Sequence, residues 1–351
     1  MTKQPNEIQS ISDLTQILKE LGEPIHGKTR FFRGQAKEWE LLPRIYRKDE
    51  PYLIENEDKI IKDALTNCPD DFSPSDTLFE KLVKLQHYGY ATRFLDLTAN
   101  ALVALYFACS NENHHNENGE LIILDIPDTG VKYWDSDTVA VLTALSLQNQ
   151  SFSIDKYIIF SKQYAELKDD EYHINQTRKD RIYENISSDK LLEADKVIAN
   201  IIDSLNLPNL SDMKILAQRE HYQRNFLEMF NQQPAIISLL HDVRTDKPSF
   251  RPAINPTDLT RVLCVRAKLN NARISRQQGC FLLFGIDDTK LNPAKFPDNW
   301  QRKAENNQKF IIKNKPQIMQ ELKAFGISKQ TLFPELESQS QEIMSQYKPK
   351  K

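Results

Sequence analysis

Between Ile11 and Leu21 the apolar residues fall at Ile11, Leu14, Ile17, Leu18 and Leu21, the three-and-four spacing of a helix with one buried face. Ser10 stands where an N-cap belongs and Gly22 where such a helix stops, so the pattern predicts a helix over 10–20. A short aromatic run at 29–33, closed by Gly34, reads as the end of a strand. Helices are predicted over 53–65 and 75–86, the second starting at Ser75 and stopping before Gly89. Residues 100–109 are apolar on nearly every face, which makes them a central core helix, and 120–126 (ELIILDI) is the clearest strand. The intervening 111–119 (NENHHNENG) reads as a polar loop.

From 152 to 233 the chain becomes charged, with helices expected over 190–205 and 212–230. Strands are expected over 260–267 and 309–313, a basic turn of helix over 273–279, helices over 318–325 and 333–347, and a frayed KPKK end. Scattered strands among many helices, without regular alternation, imply an α+β fold with a mixed sheet core. The expected organisation is one domain over 1–340, with core segments 10–150 and 235–340 around a mainly helical insertion at about 152–233. Residues 341–351 form a flexible basic tail in this reading.

The 351 residues, 40% hydrophobic and 27% charged, are enough to bury a sizeable core. No apolar run approaches the roughly 20 residues that cross a bilayer. The N-terminus MTKQPNEIQS lacks a basic patch followed by an apolar stretch. A cytoplasmic location without membrane association is the expectation. Cys68, Cys109, Cys264 and Cys280 are too scattered for a disulfide framework or a CxxC zinc site. Adjacent His114 and His115 do not readily turn two nitrogens to one ion, so no metal is expected. Residues 251–351 carry 18 lysines and arginines against 9 acidic residues. That asymmetry fits either two differently solvated faces or a surface for an anion such as a nucleotide or RNA, with Arg261, Arg266, Lys268, Arg273 and Arg276 along a phosphate backbone.

Two motifs carry candidate chemistry. In Phe31-Phe32-Arg33-Gly34-Gln35, an arginine at the end of a buried strand needs an anion or carboxylate partner, and Gly34 permits close approach of a ligand to the backbone. In QHYGYATRFLDLTAN, polar groups crowd a turn that leads into the most apolar helix. Arg93 and Asp96 could pair across that turn, and Asp96 or Thr98 could cap the helix after it. Nothing in the local turn requires Gln86, His87 and Tyr88 together; a histidine there suits ribose or phosphate binding or acid–base work, and an aromatic beside it suits ring stacking. The later Gln218–Tyr222 segment echoes the QHY on a charged helix. Walker, GxGxxG and GxSxG signatures are absent.

The combination of FRGQ, then Trp39, Leu41, Pro43 and Arg44, then QHYGxxTRxLDxTxNxxxALYFA, resembles the FRG domain family. The resemblance continues through Trp134, Asp137, Arg273-Ile274, Gln277-Gln278-Gly279 and the closing Gly326 to Leu336. Phe94 and Leu97 stand where the family usually has leucine and tryptophan. The resemblance implies a toxin-like or anti-phage effector, with a macromolecular target (RNA or protein) and an antitoxin or chaperone as partner. By analogy of folds it implies an NAD-dependent ADP-ribosyltransferase with NAD as substrate. In that reading Arg33, Gly34, Gln35, Gln86, Tyr88 and Thr98 bind NAD, and His87, Arg93, Asp96 and Gln278 are catalytic. The late motif QQGCF contains no acid, which leaves Asp96 or Glu80 to supply a carboxylate. Two other readings stay open: a non-catalytic RNA- or protein-binding module, and a nuclease in which Asp96 meets Asp125.

Overall fold

A computed structural model describes residues 6–183 and 210–347. The chain divides into two compact units, residues 1–151 with 258–351, and residues 152–257.

The first unit is built on a mixed sheet of nine strands among the described residues. They are β1 (Glu7–Ile8), β2 (Lys28–Gln35), β3 (Phe94–Thr98), β4 (Gly119–Pro127), β5 (Val131–Tyr133), β6 (Val262–Arg266), β7 (Gly279–Phe284), β8 (Gln301–Arg302) and β9 (Phe310–Ile312). The order is β1-β9-β4-β2-β3-β7-β6-β5, with β8 paired to β4. The outer pairs β1–β9 and β5–β6 are parallel; every other pair is antiparallel. With the helices packed around this sheet, the fold is α+β.

Strand side chains alternate between faces, and here both faces are covered. Phe32, Leu121, Ile123 and Phe310 pack with the helices Ile11–Leu21, Ala101–Cys109 and Lys315–Ala324. Phe31, Leu95, Leu97, Ile122, Leu124 and Leu282 build the opposite core. Because β4 is buried on both faces, its sequence is a continuous apolar run rather than an alternating one. Gly34 has a physical reason: a Cβ there would lie 1.8 Å from the Ala104 carbonyl oxygen. The glycine lets the Ala101–Cys109 helix press its backbone onto β2.

Several boundaries move. The expected helix over 53–65 is two helices, Tyr52–Glu55 and Glu57–Asn67. The next runs from Leu78 to His87, capped by Thr77 in a reciprocal box with Glu80 instead of starting at Ser75. Asn100 caps the following helix, accepting from the Leu102 N–H at 2.9 Å, so neither Asp96 nor Thr98 is its cap. Residues 94–98 form a full strand where the sequence suggested a turn.

The second unit contains the helices Asp155–Tyr183, Leu210–Asn231 and Pro234–Asp246. Asp169 accepts a 2.9 Å hydrogen bond from Gln218, and His221 stacks on Tyr172 with centroids 4.7 Å apart. The second QHY-like segment therefore joins two helices of this unit. The helix expected over 190–205 and the KPKK end lie outside the described residues.

Candidate functional site

A cavity of about 310 Å³ surrounds the C-terminal half of β2. That volume is at the lower end of the roughly 300–1,000 Å³ typical of small-molecule sites. Arg33, Gly34 and Gln35 enter it from β2, Asp96 and Thr98 from β3, and Gln86 and His87 from the last turn of the Leu78–His87 helix. Motifs more than fifty residues apart thus meet because β2 and β3 are antiparallel neighbours, with Phe32 opposite Thr98.

The polar network is specific. Arg33 donates from Nη1 to the Asp96 carbonyl oxygen at 2.7 Å. Its Nε is buried with no hydrogen-bond partner. Burial lowers the Arg33 pKa from its ordinary value, opposed by Asp96 and reinforced by nearby Arg47. Gln86 donates from Nε2 to Asp96 Oδ1 at 2.7 Å, and its carbonyl oxygen accepts from Thr92. Thr98 donates to the Gln277 carbonyl oxygen at 2.6 Å, tying β3 to the helix Ala272–Gln277. The motif is therefore held as one piece, with Asp96 oriented by Gln86 and left accessible.

His87 is half-buried, and its Nε2 lies 3.4 Å from Glu335 Oε1. The other Glu335 carboxylate oxygen is buried without a partner. Burial lowers the His87 pKa from the ordinary histidine value; Arg273 and Lys84 act in the same direction and Glu335 opposes them. Such a ring is mostly neutral at pH 7 and has a nitrogen free to accept a proton.

Sequence reasoning missed part of this wall. Arg47, Asn271, Gln277 and Trp39 also line the cavity. Arg273, weighed only as part of a basic track, lines it too and lies over the Phe333 ring at 4.6 Å. Glu335 belongs to the closing LFPEL motif, whose place beside His87 has no local sequence signal. Arg276 and Gln277 donate to the Thr331 and Leu332 carbonyls, which brings that closing segment to the site.

Three of the expected site residues are elsewhere. Arg93 is fully buried: its guanidinium binds both Glu57 oxygens at 2.6–3.0 Å and the Tyr46 hydroxyl at 2.5 Å. It pairs with Glu57 instead of Asp96 and holds the core together, out of reach of a substrate. Gln278 occupies the left-handed region (φ 47°) at the end of its helix, so it is a turn residue, and Gln277 is the glutamine that faces the cavity. Tyr88 is 65% exposed and lines a neighbouring groove instead of the cavity that it was expected to floor with its ring.

Other candidates resolve into local structure. Asp125 is gripped by Arg30 through two hydrogen bonds and lies beside Arg302, and it does not join Asp96. Glu80 is taken up by the Thr77 cap and by Lys268. Arg261 pairs with Asp258, and Arg266 lies over the Phe31 ring, so the basic residues have separate partners instead of forming one track. His114 bonds Glu117 and His115 bonds the Cys109 carbonyl.

No curated protein and no solved structure matches the chain. The stretch that runs from β2 into the polar loop before β4, and so carries Arg33, Gln86, His87 and Asp96, coincides with a family match. Residues 28–117 match the family model of the FRG domain, and the chain carries that domain.

Proposed function

We propose that the cavity binds NAD and that the protein is an effector that transfers ADP-ribose from it to a macromolecule. The observation that carries this reading is the buried, unpartnered Arg33 Nε beside the accessible Asp96 carboxylate. A guanidinium with an unsatisfied donor favours an anionic acceptor such as a phosphate. Arg47, which has no ion-pair partner among the described residues, supplies a second cation at the same cavity. Trp39 offers an aromatic ring at the wall, and Asn271 Nδ2 as donor and Gln277 Oε1 as acceptor suit ribose hydroxyls, since Asn271 Oδ1 caps its helix and Gln277 Nε2 binds the Leu332 carbonyl. A cavity of this size encloses about half of a dinucleotide, and the rest extends beyond its rim.

Glycosidic cleavage passes through a positively charged, oxocarbenium-like state. Asp96, fixed by Gln86 and exposed to the cavity, is the carboxylate in position to stabilise that charge. The test is incubation of the purified protein with cell lysate and NAD labelled on the adenylate half, wild type beside Arg33→Gln. Label enters macromolecular material with the wild type, and the variant loses at least tenfold of that transfer while remaining folded. Absence of both NAD binding and label transfer by the folded wild type would overturn the reading in favour of a binding module without chemistry.

A further inference from the structure

A second groove, about 260 Å³, lies beside the first cavity and shares Val83, His87, Asn271 and Ile274 with it. Its own walls come from Asp76, Glu80, Lys84, Tyr88, Lys268 and Asn270. We infer that this groove seats the acceptor, that the acceptor is a protein segment presenting a side-chain hydroxyl, and that His87, held by Glu335, takes the hydroxyl proton. This inference rests on the transferase reading above.

Charge separates the two cavities. In the first, Arg33 keeps an unsatisfied donor and Arg47 has no ion-pair partner among the described residues. In the groove the lysines are already engaged. Lys268 pairs with Glu80 at 2.9 Å and lies 3.5 Å from the Trp134 ring centroid, and Lys84 sits 3.8 Å from Asp71. A nucleic-acid backbone needs several uncommitted cations along its path. A groove whose cations are matched by carboxylates, with an exposed tyrosine and two asparagines, suits a polypeptide.

His87 stands at the junction and borders both spaces. Glu335 Oε1, 3.4 Å from Nε2, favours the tautomer with its proton on Nε2, which leaves the lone pair on Nδ1. That is the arrangement of a base oriented by a carboxylate. Glu335 is a positioning residue: it touches the ring and acts through it. The step balances. The bond from ribose C1′ to the nicotinamide nitrogen breaks, and its electron pair leaves with neutral nicotinamide. A lone pair of the acceptor hydroxyl forms the new bond to C1′, and the hydroxyl proton passes to His87 and then to solvent.

The experiment uses the full chain with labelled NAD and lysate, and reads three quantities. They are NAD binding by the wild type, label in protease-sensitive against nuclease-sensitive material, and the transfer rates of Asn270→Trp and Glu335→Gln. The label is expected in protein. Asn270→Trp, which puts a bulky ring into the groove lining, lowers transfer at least tenfold with an unchanged thermal melt. Glu335→Gln removes the charge that favours the protonated ring against Arg273 and Lys84, so the acid limb of the pH–rate profile moves to lower pH. If the wild type binds no NAD, the transferase reading itself fails. If it binds and transfers but the label is nuclease-sensitive, or Asn270→Trp transfers as well as wild type, the groove assignment is overturned. An acid limb that stays in place in Glu335→Gln overturns the positioning role.

Discussion

Arg33 and Arg93 stand at opposite ends of one comparison. Both are arginines beside the central strands, and both looked like site residues in the sequence. Arg93 has no exposed surface and each of its guanidinium nitrogens has a partner, the two carboxylate oxygens of Glu57 and the Tyr46 hydroxyl, while Lys290 lies 3.2 Å from the same carboxylate. Arg33 has one backbone acceptor and one buried donor with nothing to bind. A buried charge that is fully paired contributes to a specific core, whereas an unsatisfied donor at a cavity wall is a cost the fold accepts where a ligand completes it. Satisfaction of the guanidinium, rather than residue type or motif membership, separates the core arginine from the one that faces the cavity.

The largest effect expected from this comparison is at Arg93. Arg93→Ala leaves Glu57 and Lys290 buried with an incomplete network and should cost about 3–5 kcal/mol of stability. Urea unfolding reads it as a lowered midpoint; a loss under about 1 kcal/mol would break the comparison from the structural side.

Next comes the pH dependence set by His87. Its folded pKa is depressed, so the neutral ring is favoured in the folded state. Its contribution to stability is therefore present above the ordinary histidine value of 6.5 and is lost as pH falls through the depressed folded value. Transfer that needs the neutral ring falls on the same acid side. An acid limb in the pH–rate profile below 6.5, absent in His87→Gln, is the expected measurement; an acid limb that is the same in wild type and His87→Gln would remove His87 from the chemistry.

The smallest effect is the one that sharpens the contrast. Arg33→Gln gives up one hydrogen bond to a backbone carbonyl and removes an unpartnered donor, so stability should change by no more than about 1 kcal/mol. Differential scanning calorimetry would show a melt close to wild type in a variant that, on the proposed reading, no longer binds NAD. A large drop in the melt would make Arg33 as structural as Arg93.

The Arg33 and Arg93 pair also shows where sequence reading stops. Periodicity placed the first helix, β4 and β6 close to their observed positions, because their burial patterns are simple. It missed β3, whose residues Phe94–Thr98 pair with Gly279–Phe284 of β7 in the middle of the sheet. There, turn-like polar residues of the motif hid the strand. The QHY motif pointed to His87 and Gln86 because three polar groups had no local use. It could not place Glu335 beside His87, since 248 positions separate them and only the packing of the closing segment joins them.

An α+β chain, the apolar helix and strand at its centre, and a polar motif with more hydrogen-bonding groups than its own turn needs are all legible along the linear chain. Those properties follow from local pattern and composition. Which polar group meets which is set by the packed fold. Gly34 serves helix packing, Arg93 belongs to the core, Gln277 replaces Gln278 at the cavity, Arg47 and Arg273 complete its walls, and Glu335 stands behind His87. The reason is physical. A side chain's role is set by what lies within hydrogen-bond reach of it, and pairings between distant segments are fixed by sheet order and packing, which no local window of the chain contains.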